Sequence, residues 1–196
     1  MEAEEHLKRT EGALKKSEEK FRRQAIHDNL TGLYNTRYLY KALSELISEC
    51  SETGLPFSLI FMDIDDFKNV VDTYGHLSAS QALQELAATI RSTLHEPAYG
   101  VAYGGDEFVV VLPGFRKLKA FDMAECIRSR MKETVYLSKI GAHVKLRASF
   151  GISSFPDDAT GLSELLSLAD EAMFNVKERG KDSVSSIGRD AIDSLA

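Results

Sequence analysis

With 196 residues, 43% of them hydrophobic, the chain can bury one substantial core but is too short for two full domains with linkers. A net charge of -6, with acidic and basic residues interspersed, excludes a broad phosphate-tracking surface and so DNA or RNA as expected partners, yet leaves room for a small nucleotide held through metal ions. Cys50 and Cys126 stand far apart without CxxC spacing, so neither a zinc site nor a disulfide framework is expected, and both read as reduced packing residues. No apolar run approaches the roughly 18 residues of a membrane span, and the opening MEAEEHLKRTEGALKK lacks the apolar centre of a signal peptide. The chain therefore reads as cytoplasmic, with no membrane contact, and as a piece cut from something longer.

In chain order, residues 1–27 are dense in Glu, Lys, Arg and Gln, with Leu7, Leu14 and Phe21 recurring at sevenfold spacing. One narrow apolar seam on a charged helix fits either a solvated helical linker or a parallel dimeric stalk, since Thr10 and Ser17 are poor core residues at the alternate positions. A turn-rich HDNLTGLYN follows. Leu39, Leu43, Leu46 and Ile47 predict a helix over about Thr36 to Glu49, and FSLIFMD, Phe57 to Asp63, is apolar on both faces, as a central strand is. The next helix is expected to begin at Ser78, whose spacing to Gln81 is that of a capping box, and to carry Leu83, Leu86, Ala87, Ile90 and Leu94 inward. Tyr99 to Tyr103 and Glu107 to Leu112 read as a hairpin joined by a tight GGD turn. A helix over about Leu118 to Val135, a strand within HVKLRASFGISSF, a long amphipathic helix through Leu162, Leu165, Leu166, Ala169, Met173 and Val176, and a short edge strand from Ser183 complete the domain. The expected architecture is α/β of the α+β kind: one central, mostly antiparallel sheet covered by helices over residues 28–188, with 189–196 a tail.

Asp63 closes a buried strand, while Asp106 and Glu107 sit at the hairpin turn. If those strands are neighbours, three acids converge at one sheet edge. Such a cluster repels itself unless a cation sits within it, and hard oxygen ligands beside phosphate favour Mg2+ or Mn2+. Gly104 and Gly105 would permit the turn and let a phosphate approach the backbone. Taken singly, each acid is more often solvated or structural than catalytic; it is the combination that points to chemistry.

YGGDEF resembles the signature of the GGDEF family of dinucleotide cyclases. DNLTGLYN, DIDDFKNVVDTYGH, SFGIS and ADEAMFNVKERGKD resemble the family's other blocks, in the family's order, from Asp28 to about Asp182. The resemblance implies a palm-like fold shared with class III nucleotidyl cyclases and a homodimer in which each subunit holds one nucleoside triphosphate. Each 3'-hydroxyl then attacks the other nucleotide's α-phosphate, giving a cyclic dinucleotide and two pyrophosphates. It implies two metal ions per half-site, one acidifying the hydroxyl and one steadying the triphosphate and leaving group. Carried over by motif, Asp63, the carbonyl of Ile64 and Asp106 hold metal, with Glu107 a further ligand and Asp106 also the general base. Lys68 neutralises charge on the phosphates. Phe67, Gly104, Gly105, Lys177 and Lys181 complete the substrate site, although Lys181 stands where the family has arginine and so lacks the bidentate fork. An upstream sensor domain is implied as a missing partner.

Several positions depart from the family pattern. Val71 replaces an asparagine that meets the guanine edge, and Ser80 replaces an aspartate that accepts from guanine N1 and N2. A carboxylate only accepts, whereas a serine hydroxyl can donate or accept and so can face adenine N1. Ser80 also suits an ordinary first turn of a helix. A serine here resembles the hybrid promiscuous branch, which takes ATP with GTP and makes 3',3'-cyclic GMP-AMP alongside cyclic di-GMP. A strict diguanylate cyclase and an inactive nucleotide sensor are the alternatives. HEPA, His95 to Ala98, stands where many members carry an RxxD product-inhibition site, so little product feedback is expected there. Ala102 replaces a common arginine, with no consequence readable from the sequence.

Overall fold

A computed structural model describes residues 24 to 187 together with residues 11, 12, 14, 15 and 21. The seam residues Leu14 and Phe21 are exposed in the single chain, whereas Leu7, the alternate positions Thr10 and Ser17, and the 189–196 tail lie outside the described residues.

Helix α1, Thr36–Thr53, runs a turn beyond its expected end. The Asn35 side chain caps its start by accepting from the Tyr38 amide, and Gly54 closes it in the left-handed region, its amide returning to the Cys50 carbonyl. Strand β1, Phe57–Ile64, is buried along its whole length, as its unbroken apolar run requires. Helix α2 runs over Phe67–Thr93 as two helices joined across a kink, the first of them not expected from the sequence. The chain is helical from Phe67, with one interruption at Gly75, where φ is 78° and ψ is 166°. The second helix therefore begins just after Gly75, close to the expected start at Ser78, although Gln81 donates not to a cap but to Glu85 one turn on.

Strands β2, Tyr99–Gly104, and β3, Glu107–Pro113, form the expected hairpin, with a register shift between Ala102 and Gly104. Helix α3, Lys117–Glu133, leads to a short 3-10 turn at Ser138–Ile140 and then to strand β4, Ala148–Phe155. Residues 143–147 are not part of that strand: Val144 exchanges both backbone hydrogen bonds with Tyr136, which diverts this stretch from the sheet. Helix α4, Leu162–Glu178, and the three-residue strand β5, Val184–Ser186, complete the fold.

The sheet order is β2-β3-β1-β4-β5, antiparallel throughout except for the parallel β4–β5 pair. This is the palm-like arrangement expected. Alternation along the strands makes two cores. Ile60, Met62, Phe108, Val110, Phe150 and Ile152 meet α2 and α3 on one face, while Leu59, Phe61, Val109 and Val111 meet α1 and α4 on the other. Helix α4 presses so closely on β4 that a Cβ at Gly151 would lie 2.0 Å from the Ala169 carbonyl oxygen, so only glycine fits. Cys50 is buried and free; Cys126 is also free but exposed, so it is not the packing residue expected. No helix among the described residues is long and apolar enough to cross a membrane.

Candidate active site

The antiparallel register sets Asp63 of β1 directly opposite Glu107 of β3, at the end of the sheet where the hairpin turns. Directly opposed residues of a pleated pair share a face, so two carboxylates lie side by side on the α1 and α4 face. Asp63 is only 8% exposed, and Glu107 is half-buried. The turn itself is Gly105 and Asp106, with Gly105 at φ 55°, a conformation glycine adopts without strain. Gly104 lies beside the Glu107 carboxylate, a Cβ there standing 3.8 Å from it in ordinary contact. Asp106 is half-buried, and its carbonyl oxygen accepts from the Ile64 amide at 3.2 Å, stitching the turn to the end of β1.

Lys177, from the last turn of α4, donates to Asp63 at 2.7 Å with its own side chain mostly covered. Burial is the main cause that pushes the Asp63 carboxyl above its ordinary value. The Lys177 ammonium opposes the shift, and Asp106 and Asp65 add to it. Glu107 is likewise raised, first by burial and then by Asp63, Asp170 and Asp106, again against Lys177. One lysine thus offsets only part of the repulsion among several acids. Among the described residues no three His, Cys, Asp or Glu side chains are gathered into a cage for a metal ion. Asp63, Glu107 and Asp106 nonetheless lie near enough to act on one another's charge, with Asp63 and Glu107 as the directly paired members. A small hard cation that takes one or two carboxylates and fills its shell with carbonyl, phosphate and water oxygens fits such a donor set.

The remaining expected residues are spread around this pair. Lys68, in the first turn of α2, is exposed and makes no ion pair among the described residues. Phe67 before it is buried in the core. Lys181 follows α4 in a left-handed conformation and donates to Asp66 at 2.6 Å. Val71 is half-buried and packs on the α2 core, while Ser80 is half-buried beyond the Gly75 break, so the helix is bent between them.

Asp170 was missed in the sequence, although it stands seven residues before Lys177 and so on the same helical face. It shares with Glu107 a cleft of about 300 Å3 that Tyr40, Phe61 and Tyr103 also line. Tyr40 and Tyr103 share a 3.2 Å hydroxyl hydrogen bond there, which, with burial, pushes the Tyr103 phenol up to about 12. A hollow of about 320 Å3 beside the start of β2, reached by His27, Tyr34 and Arg91, carries none of the expected metal or substrate residues, though Glu96 and Ala98 of the HEPA stretch line it.

Residues 25–183 match the family model for "Diguanylate cyclase, GGDEF domain". Diguanylate cyclase DosC of Shigella sonnei is 34% identical over 170 residues, covering 85% of this chain and 36% of DosC. Among solved structures, the GGDEF domain of TpbB (YfiN) from Pseudomonas aeruginosa superposes with a TM-score of 0.77 at 31% identity, covering 81% of this chain and 92% of that one. The GGDEF domain of DgcB from Caulobacter crescentus, solved in complex with c-di-GMP, superposes with a TM-score of 0.73 at 25% identity, covering 82% of this chain and 92% of that one. The chain spans less than half the length of the curated relatives it matches.

Proposed function

The chain belongs to the diguanylate cyclase GGDEF-domain family, and from that premise we propose that it is a nucleotidyltransferase that condenses two nucleoside triphosphates, GTP foremost, into a 3',3'-cyclic dinucleotide. The observation that carries this reading is the direct cross-strand pairing of Asp63 with Glu107 beside a glycine turn, with Lys177 donating to Asp63. Carboxylates set against one another in a buried strand end weaken the fold, and their use is to hold a cation against phosphate.

Asp63, the Ile64 carbonyl, Asp106 and Glu107 would hold Mg2+ or Mn2+, which when bound supplies Lewis acidity at the hydroxyl and the triphosphate. Lys68, Lys177 and Lys181 bind the phosphates, and Gly104 and Gly105 let them approach. A 3'-oxygen forms a bond to the α-phosphorus of the nucleotide held by a second copy of the chain. The bond to pyrophosphate breaks, and the hydroxyl proton passes to Asp106. Repeating the step in the other direction closes the ring and releases the second pyrophosphate. Facing of two half-sites requires a homodimer, which residues 1–27 would assist as a stalk by raising local concentration. A sensor upstream of residue 1, a cytoplasmic location and freedom from product feedback at His95 to Ala98 belong to the same proposal.

Val71 and Ser80 favour a second, finer reading. Val71 offers no acceptor to guanine, and Ser80 can donate or accept where a carboxylate would only accept; it forms no hydrogen bond with any described residue that would commit its hydroxyl to one role. We infer that ATP is accepted with GTP and that cyclic GMP-AMP forms beside cyclic di-GMP. Incubation with Mg2+ and GTP, ATP or an equal mixture, followed by mass spectrometry, tests both readings. Cyclic GMP-AMP from the mixture is expected, and Ser80→Asp should shift the product ratio towards cyclic di-GMP by about tenfold. Cyclic di-GMP alone would overturn the mixed product, and no product even from a forced dimer would overturn the cyclase.

A further inference from the structure

Two short segments face each other on the phosphate side of the candidate site, Asp63 to Lys68 and Lys177 to Asp182. Three contacts join them: Lys177 to Asp63, Lys181 to Asp66, and the Asp182 amide to the Asp65 carboxylate at 3.0 Å. Only the third is anchored from outside. Arg128 of α3 donates from Nη1 to both the Asp182 carbonyl oxygen and its Oδ1, each at 3.0 Å. Lys132 reaches Oδ2 at 3.2 Å, and Arg147 lies 3.8 Å from it. Asp65 is held in turn by the Ser149 hydroxyl of β4 at 2.7 Å.

Both Lys181 and Asp182 have positive φ, 66° and 47°. Side-chain-bearing residues in the left-handed region are strained, and two in succession persist only where surrounding contacts dictate them. The contacts around Asp182 meet that need, because main chain and side chain are gripped together by one guanidinium. Glu125 fixes the other edge of that guanidinium with bonds to Nε at 2.9 Å and Nη2 at 2.8 Å.

We propose that Asp182, gripped by Arg128, is a positioning residue for triphosphate binding: it locks the left-handed turn that aims Lys181 and ties that turn, through Asp65, to the segment carrying Asp63 and Lys68. This rests on the reading of Lys181 as a phosphate ligand. The aspartate suits the task better than a neutral amide, which could accept from Arg128 but could not offset three neighbouring cations.

The test is calorimetric titration of the full chain with a non-hydrolysable GTP analogue and Mg2+, with melting curves alongside. Lys181→Ala should weaken binding by about tenfold, and Arg128→Met by roughly threefold, in chains that remain folded. In the Lys181→Ala background Arg128→Met should lose clearly less than it does alone, since Arg128 acts largely through Lys181. Asp182→Asn should retain more affinity than Asp182→Ala. If Arg128→Met does not fold, Arg128→Lys, which keeps the charge but loses the fork, serves in its place with the same expected direction. Unchanged affinity in Lys181→Ala would remove the phosphate-ligand reading on which the proposal stands. Weakened affinity in Lys181→Ala with unchanged affinity in the Arg128 variants, or fully additive losses in the double variant, would overturn the positioning role alone.

Discussion

Two acidic centres, built from the same kind of side chain, lie in the same fold and point in opposite directions. At the hairpin end of the sheet, Asp63 and Glu107 are pushed above ordinary carboxylate values by burial and by one another, with Lys177 offsetting only part of the repulsion. At the turn after α4, burial again pushes Asp182 up, but hydrogen bonds and charge from Arg128 and Lys132 outweigh it and hold the carboxyl below its ordinary value. A buried acid matched by cations strengthens the structure that surrounds it. Acids left in mutual repulsion weaken the fold, and a site that keeps them needs a further positive charge for its work.

The contrast breaks most sharply at Asp63. Asp63→Asn should cut cyclic dinucleotide formation by on the order of a thousandfold, as loss of a central electrostatic element does, while the melting temperature holds or rises. Preserved turnover, measured by pyrophosphate release, would remove Asp63 from the chemistry. Asp182→Ala should do the reverse for stability, costing roughly 2 kcal/mol in urea unfolding because a charge-assisted network with several partners is lost. A midpoint equal to that of the parent chain would reduce the Asp182 contacts to ornament.

Smaller and opposite in sign, Glu107→Gln should stabilise the fold by up to about 1 kcal/mol, the scale of relieving like charges directly across a strand pair. The pH dependence carries the same signs. A carboxyl raised in the folded state takes up its proton there first, so the repulsion at Glu107 and Asp63 is relieved, and stability from these groups rises, as pH falls from the raised folded value towards the unfolded one. Asp182, depressed on folding, contributes stability that is present above its unfolded value and disappears as pH falls below it. Melting curves across mildly acidic pH should therefore show Glu107→Gln gaining less than the parent chain on acidification. Parallel curves would indicate that Glu107 does not titrate abnormally.

Much of this was legible in the residue order. The unbroken apolar run of β1, the glycine turn between two alternating strands and the amphipathic spacing of α4 each carry a periodicity that local chemistry imposes. The helix expected from Ser78 read within a few residues, but the one before it, from Phe67 to the Gly75 kink, did not, because it is too short for its periodicity to stand out. The early part of the β4 segment misled for a related reason: its alternation suits a strand, yet Val144 found its partner in Tyr136 rather than in the sheet.

At the site, the sequence alone determined which side chains carry hard oxygen and positive charge, and that a turn of two glycines brings acids to a strand mouth. Those follow from residue type and short spacing, which need no knowledge of neighbours. Only the tertiary structure decided that Asp63 faces Glu107 across one register, that Lys177 pairs with Asp63, that Asp170 shares a cleft with Glu107, and that Asp182 is a structural acid. Those depend on pairings between segments up to more than a hundred residues apart, such as Asp65 with Asp182, for which single-sequence periodicity holds no signal.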